Sequence, residues 1–127
     1  MTNLLEQGAA WLTDQLHWHA STEVVYQRGV DQVAVKAVIG KTEFEVDDDS
    51  GAIQRVQSRD FLIRTADLRF FDVPTLPRAG DRIREPVGER TLVYEVLAPG
   101  NEPHYRFSDP FRKLLRVHTK HVATEEI

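Results

Sequence analysis

Apolar positions along most of the chain alternate with polar ones, and alternation predicts strands rather than helices. Val24 and Tyr26 alternate with Glu23 and Gln27 across residues 22–28, and Val33, Val35, Ala37 and Ile39 share one face of residues 32–39. Gly29 between these runs suits a tight hairpin turn. Gly40-Lys41 then leads into residues 42–46, where Phe44 and Val46 share a face. Residues 53–65 read as one long strand in which Val56 has one parity and Phe61 and Ile63 the other. A register shift of one residue produces that switch, so a bulge is expected near 58–60.

Further on, residues 66–71 suit a short helical turn with Thr65 as a cap, and Val73-Pro74 and Leu76-Pro77 hold the next segment extended. Residues 77–80 form a Pro/Gly turn, 81–84 a short strand with Ile83 inward, and 85–90 a return turn. Residues 91–97 carry Val93 and Leu97 against Leu92, Tyr94 and Val96, apolar on both faces, as in a central strand covered on both sides. Residues 98–110 hold three of the six prolines and read as a loop, and 111–121 close as a last strand. Helical spacing is confined to residues 3–17, where Leu4, Leu5, Gly8, Ala9, Leu12 and Leu16 form a narrow stripe behind an Asn3/Glu6 capping box. The predicted fold is mainly β: a small antiparallel β-barrel or sandwich with one N-terminal α-helix and a short helical turn near 66–70. Residues 1–127 are expected as a single domain, with 3–17 a helix or docking arm, 22–121 the barrel and 122–127 a frayed acidic tail.

Composition narrows the chemistry. The 127 residues suffice for one ordinary core. With no cysteine, disulfides, thiolate metal sites and thiol nucleophiles are excluded. No apolar run approaches the roughly 18–20 residues of a membrane helix, and the N-terminus lacks the basic start and apolar core of a signal peptide. The expectation is a protein made and kept in the cytoplasm. Net charge is −4, unevenly placed: residues 1–54 carry nine acidic and three basic side chains, residues 55–127 eleven and thirteen. Arg106, Arg112, Lys113, Arg116 and Lys120 cluster between His104 and His121 with Asp109 as the one acid.

Few residues suggest chemistry. Asp47, Asp48 and Asp49 resemble a hard-cation site, but neighbouring side chains of an extended chain alternate in direction and the closing Glu of an EF-hand is absent; a solvated loop turning at Gly51 is the better reading. His17-Trp18-His19 offers two histidines without an assignable third ligand, which favours an anchoring Trp with a polar edge. His104, Asp109 and His118 do not make a triad with any serine or threonine by spacing alone. A basic last strand with Tyr105, Phe107 and Phe111 nearby allows a nucleic-acid-binding barrel as the alternative function.

Four stretches together, Asp60-Phe61-Leu62-Ile63-Arg64-Thr65, Asp67-Leu68, Arg78-Ala79-Gly80-Asp81-Arg82-Ile83 and Val93-Tyr94-Glu95-Val96, resemble the head–tail connector or head-completion proteins of tailed bacteriophages, of the lambda-type joining kind, including prophage copies. The resemblance spans about residues 22–121 and is strongest over 59–97. It implies a small barrel without enzymatic activity or cofactor. Copies would assemble as a ring below the portal in the bacterial cytoplasm, seal packaged DNA that passes without specific binding, and present a surface for the tail. The resemblance is compatible with a monomer when the chain is isolated, and it implies no membrane. Expected contacts are Leu5, Leu12, Leu16 and Trp18 on the arm, Asp47, Asp48 and Asp49 in the acidic loop, and Arg112, Lys113, Arg116 and Lys120 on the basic strand.

Overall fold

The computed structural model describes residues 4–8, 21–47, 50–99 and 102–126. Residues 4–8 are helical, and the remainder of the expected 3–17 helix lies outside the described residues. The strands are β1 (Thr22–Arg28), β2 (Asp31–Asp47), β3 (Ile53–Arg64), β4 (Arg69–Phe70), β5 (Val73–Pro74), β6 (Arg82–Val87), β7 (Arg90–Val96), β8 (Tyr105–Phe107) and β9 (Leu114–Glu126). The large sheet runs β3-β2-β1-β6-β7-β9-β8, and β9 also pairs with β3, from Arg59↔Thr119 to Arg64↔Leu114. The hydrogen-bonded circuit therefore returns to its first strand. The fold is mainly β and barrel-like, with β4 and β5 as a separate two-stranded hairpin.

Alternation explains which side chains enter. Val24 and Tyr26 from β1, Val35 and Ala37 from β2, Phe61 and Ile63 from β3, Ile83 from β6, Tyr94 and Val96 from β7, and Leu115 and Val117 from β9 form one buried cluster, with Leu68 beside it. On β7, Val93 and Tyr94 point to opposite faces and both are buried.

Several expectations change. Residues 31–47 form one unbroken strand that joins the expected runs 32–39 and 42–46 through Gly40-Lys41. A Cβ at Gly40 would meet Leu62 Cδ1 at 3.1 Å and Arg116 Nη1 at 3.4 Å, so the missing side chain makes room for those two groups. No bulge interrupts β3 against β2, whose register is continuous from Ala37↔Ile63 to Asp47↔Ile53. The parity switch arises instead because both faces of β3 are covered near its end, where Ser58, Asp60 and Leu62 are buried on the side opposite Phe61 and Ile63. The irregularity sits between β7 and β9, at Val93/Tyr94. The helical turn is a 3-10 turn, Thr65–Asp67, and Thr65 does not cap it; its hydroxyl donates to the Arg112 carbonyl at 2.8 Å. Tyr105–Phe107, expected as loop, pairs with β9, and residues 111–113 precede the last strand instead of belonging to it. Residues 122–126 are not frayed: they continue β9 and pair with β7 as far as Arg90↔Glu126.

The inward row of residues 81, 83 and 85 puts one carboxylate on each side of Ile83, roughly 13 Å apart for four strand residues. Asp81 accepts from the Tyr26 hydroxyl, from Arg28 Nε at 3.0 Å and Nη2 at 2.8 Å, and from the Arg78 amide at 2.9 Å. Burial and the hydrogen bond to Asp81 push the Tyr26 hydroxyl pKa well above its ordinary value. Glu85 accepts twice from Arg59 Nη2, at 2.7 and 2.6 Å, and that guanidinium lies 5.4 Å from the centre of the Tyr94 ring. These pairs account for the Pro-x-x-Gly-Asp sequence. Gly80 takes a φ of +94°, its amide donates to Val96 O at 2.9 Å, and Asp81 is thereby aimed inward.

Removing one member of a buried, multiply bonded ion pair costs about 3 kcal/mol, whereas losing one hydroxyl bond costs about 1 kcal/mol. Asp81→Asn is therefore expected to lower the denaturant midpoint about three times as far as Tyr26→Phe, at unchanged denaturant slope, in equilibrium unfolding at neutral pH.

Candidate functional site

β1 pairs with β2 only as far as Ala37, and β9 pairs with β3 only from Arg59 onward. Residues 41–47 and 53–58 consequently pair with each other alone among the described strands, as a two-stranded ribbon extending roughly 20 Å beyond the circuit. Phe44, Val46 and Val56 occupy one face, and Glu43, Glu45 and Asp47 the other, opposite Gln57, Arg55 and Ile53. A two-stranded ribbon is marginal by itself, so its base has to be held.

The base is held by Asp60. Its carboxylate is fully buried. It accepts from Thr42 Oγ1 on β2, from Ser58 Oγ at 2.5 Å on β3, and from Arg116 Nη1 at 2.7 Å and His118 Nδ1 at 2.8 Å on β9. Burial alone would raise the Asp60 pKa; the hydrogen bonds from His118, Ser58, Thr42 and Arg116 outweigh it and hold the carboxyl below the usual carboxylate range. Phe44 closes over His118 edge-on, with centroids 5.4 Å apart.

A Ser, a His and an Asp therefore meet, but not as a nucleophilic relay. Ser58 Oγ lies 3.5 Å from Nδ1, the nitrogen already turned to Asp60, while the buried Nε2 has no hydrogen-bond partner among the described residues. A relay needs the hydroxyl on one ring nitrogen and the carboxylate on the other. His104, Asp109 and His118 do not converge either. His104 bonds Pro77 O at 2.8 Å, and Asp109 takes the amides of Phe111, Lys113 and Leu114 to shape the turn into β9. Among the described residues no three His, Asp or Glu side chains could hold a metal ion.

The expected contact residues are scattered. Leu5 is exposed on residues 4–8, and Glu6 beside it lies 3.4 Å from Lys113 Nζ, which places that helix next to the start of β9. Leu12, Leu16, Trp18, Asp48 and Asp49 lie outside the described residues, as do His17 and His19. Asp47 is exposed at the ribbon's outer end and Lys120 is exposed on β9. Arg112, at a φ of +59°, packs its guanidinium 5.4 Å over the Phe107 ring. Arg116 is turned onto Asp60 and is mostly buried. The structure brings Arg112 and Lys113 together in one turn and puts Asp47 at the far end of β2. Sequence reasoning missed Asp60, Thr42 and Ser58; a lone carboxylate directly before Phe61-Leu62-Ile63 was the available signal.

A family model described as phage head-tail joining protein matches residues 2–126. The chain belongs to that family. Comparison with curated proteins finds no match. As a head-tail joining protein the chain is a structural component of the virion neck.

Because the Asp60 carboxyl has a lower pKa folded than unfolded, its stabilisation is complete above the unfolded value of about 3.9 and is lost as pH falls toward the folded value. Denaturant midpoints measured from pH 7 to pH 2 are expected to drop below about pH 4, while Asp60→Asn starts roughly 3 kcal/mol lower at pH 7 and drops less steeply.

Proposed function

We propose that copies of this chain form a ring on the portal, complete the head, retain packaged DNA and present the surface to which the tail attaches. The family match over residues 2–126 carries this reading. Two features of the molecule support it. The ribbon offers strand edges unpaired over residues 41–47 and 53–58 among the described strands, blunted by Lys41, Glu43, Glu45 and Arg55 in the manner of edges kept from indiscriminate pairing. The acidic first half and the basic second half suit contacts between unlike surfaces of neighbouring copies. Assembly takes place in the bacterial host's cytoplasm. DNA passes the acidic chain without being held, since stable backbone binding requires neutralising cations. Asp47, Asp48 and Asp49, the arm residues Leu5, Leu12, Leu16 and Trp18, and the cations Arg112, Lys113 and Lys120 make the contacts, with Arg116 acting through Asp60 instead.

The nucleic-acid alternative loses its stacking platform. Tyr105 and Phe107 belong to β8 and pack against the core, with their rings 6.1 Å apart and perpendicular.

Portal-bearing heads that lack this protein, incubated with the purified chain, are expected to retain it on sedimentation and then to accept tails. Replacing both Arg112 and Lys120 with Glu is expected to reduce retention at least tenfold, with stability lowered by no more than the about 1 kcal/mol of the Arg112 contact with the Phe107 ring. A wild-type chain that binds neither heads nor tails, from a gene remote from packaging and tail genes, would overturn the proposal.

A further inference from the structure

The β4–β5 hairpin has a tip that contacts among the described residues do not explain. Two residues join its strands, Phe71 and Asp72, with φ of +53° and +61°. A two-residue turn of this kind favours Asn, Asp or Gly, because a Cβ is crowded at positive φ. Asp72 suits it; Phe71, a bulky aromatic, does not. Nor does burial compensate, since Phe71 is 83% exposed. Its neighbour Phe70 is the anchor, 6.1 Å from the Tyr26 ring and beneath the Arg28 guanidinium. The tip is further fixed by Arg69 Nη2 donating to Asp72 O at 2.7 Å and by the Thr75 amide donating to Leu68 O at 3.0 Å. The ring is thus held outward by a rigid mount.

Phe71 shares this end of the molecule with Val30, Val73 and Leu76, all exposed. The exposed Arg69 and Arg78 stand at its rim, with Asp72 as the exposed acid beside Phe71. Four exposed apolar side chains at one end go beyond the scattered single ones that need no explanation, yet fall short of the roughly 800 Å² per partner that a stable two-body interface takes. Such a patch needs a second contact region and an acidic counterpart. The same chain has that counterpart at its other end. β2 starts beside Val30 and runs for 17 residues, roughly 50 Å, to the ribbon, where the exposed Ile53 shares a face with Glu43, Glu45 and Asp47.

We infer that the Phe71 tip is a docking knob for the ribbon of a second copy of this chain, apolar on apolar, with Arg69 and Arg78 against the ribbon's carboxylates. Knob and ribbon are different surfaces, so the contact is head-to-tail and propagates from copy to copy. The inference deepens the ring reading above and rests on it for the biological setting, but the contact is measurable without any other neck protein.

The absence of cysteine gives a clean test. The full chain carrying both Phe71→Cys and Ile53→Cys, oxidised at high concentration, is expected to give a ladder of covalent oligomers. Either single variant should stop at dimers. In a cysteine-free background Phe71→Asn, which suits the positive φ, is expected to keep or raise Tm and to weaken self-association at least tenfold by sedimentation, while Phe71→Trp stays within about twofold of wild type. A double variant that yields no more than the single ones, or a Phe71→Asn chain that associates like wild type, overturns the inference. A ladder from a chain that fails to bind heads or tails would leave the contact standing and remove the neck reading alone.

Discussion

The seam where the sheet meets itself depends on one buried carboxylate. A charge with no solvent around it is tolerable only when donors surround it, and Asp60 draws its donors from all three strands at the seam: Thr42 from β2, Ser58 from its own strand, Arg116 and His118 from β9. A slip of one residue between β3 and β9 would move both β9 donors, Arg116 and His118, to the wrong face. The apolar residues of these strands set which side faces inward; the carboxylate sets the register. Gly40 follows from the same requirement, because any side chain there would occupy the space through which Arg116 and Leu62 reach across β2.

On the inside, the same logic is repeated along residues 81–85. Asp81 and Glu85 flank Ile83, and each is met by an arginine from another strand, Arg28 from β1 and Arg59 from β3. Buried pairs of this kind contribute little net stability against an apolar alternative, yet leaving one partner alone is costly. Misassembled pairings of β1, β3 and β6 would strand a charge, so the pairs act against wrong topologies more than they add to the right one. The Tyr26 hydroxyl and the Tyr94 face complete these pairs, which is why two tyrosines are among the core residues of this barrel.

What was legible in the sequence followed from two-residue alternation. The strands around Val24, Val35, Phe61 and Ile83 and the doubly buried Val93/Tyr94 pair could be read because a half-buried strand leaves that pattern. The family resemblance rested on stretches containing Asp60 and Asp81, the two carboxylates with the most donors, although neither residue's role was visible before folding. What escaped has identifiable causes. Tyr105–Phe107 is too short to alternate and sits among prolines. Gly40 reads as a breaker unless Arg116 is known to lie above it. Residues 122–126 look like a polar tail because their partner is β7, more than 25 residues away, and nothing local marks the pairing. The apparent bulge at 58–60 had the opposite cause: a change in what covers the strand imitates a change of register.

The distribution of rigidity follows from these pairs. Where ion pairs, core and circuit coincide, the strands are tied on both edges. Outward from Phe44, the ribbon keeps only its own ladder and the outer residues Arg55, Val56 and Gln57 are exposed. The Phe71 tip is the reverse case, a strained two-residue turn fixed onto the tied region through Phe70 and Leu68. Strain is tolerated where the mount is over-determined, whereas a two-stranded ladder by itself is marginal. The two projections are therefore held differently: the tip through Phe70 and Leu68 onto the tied region, the ribbon through the Asp60 cluster at its base and its own ladder.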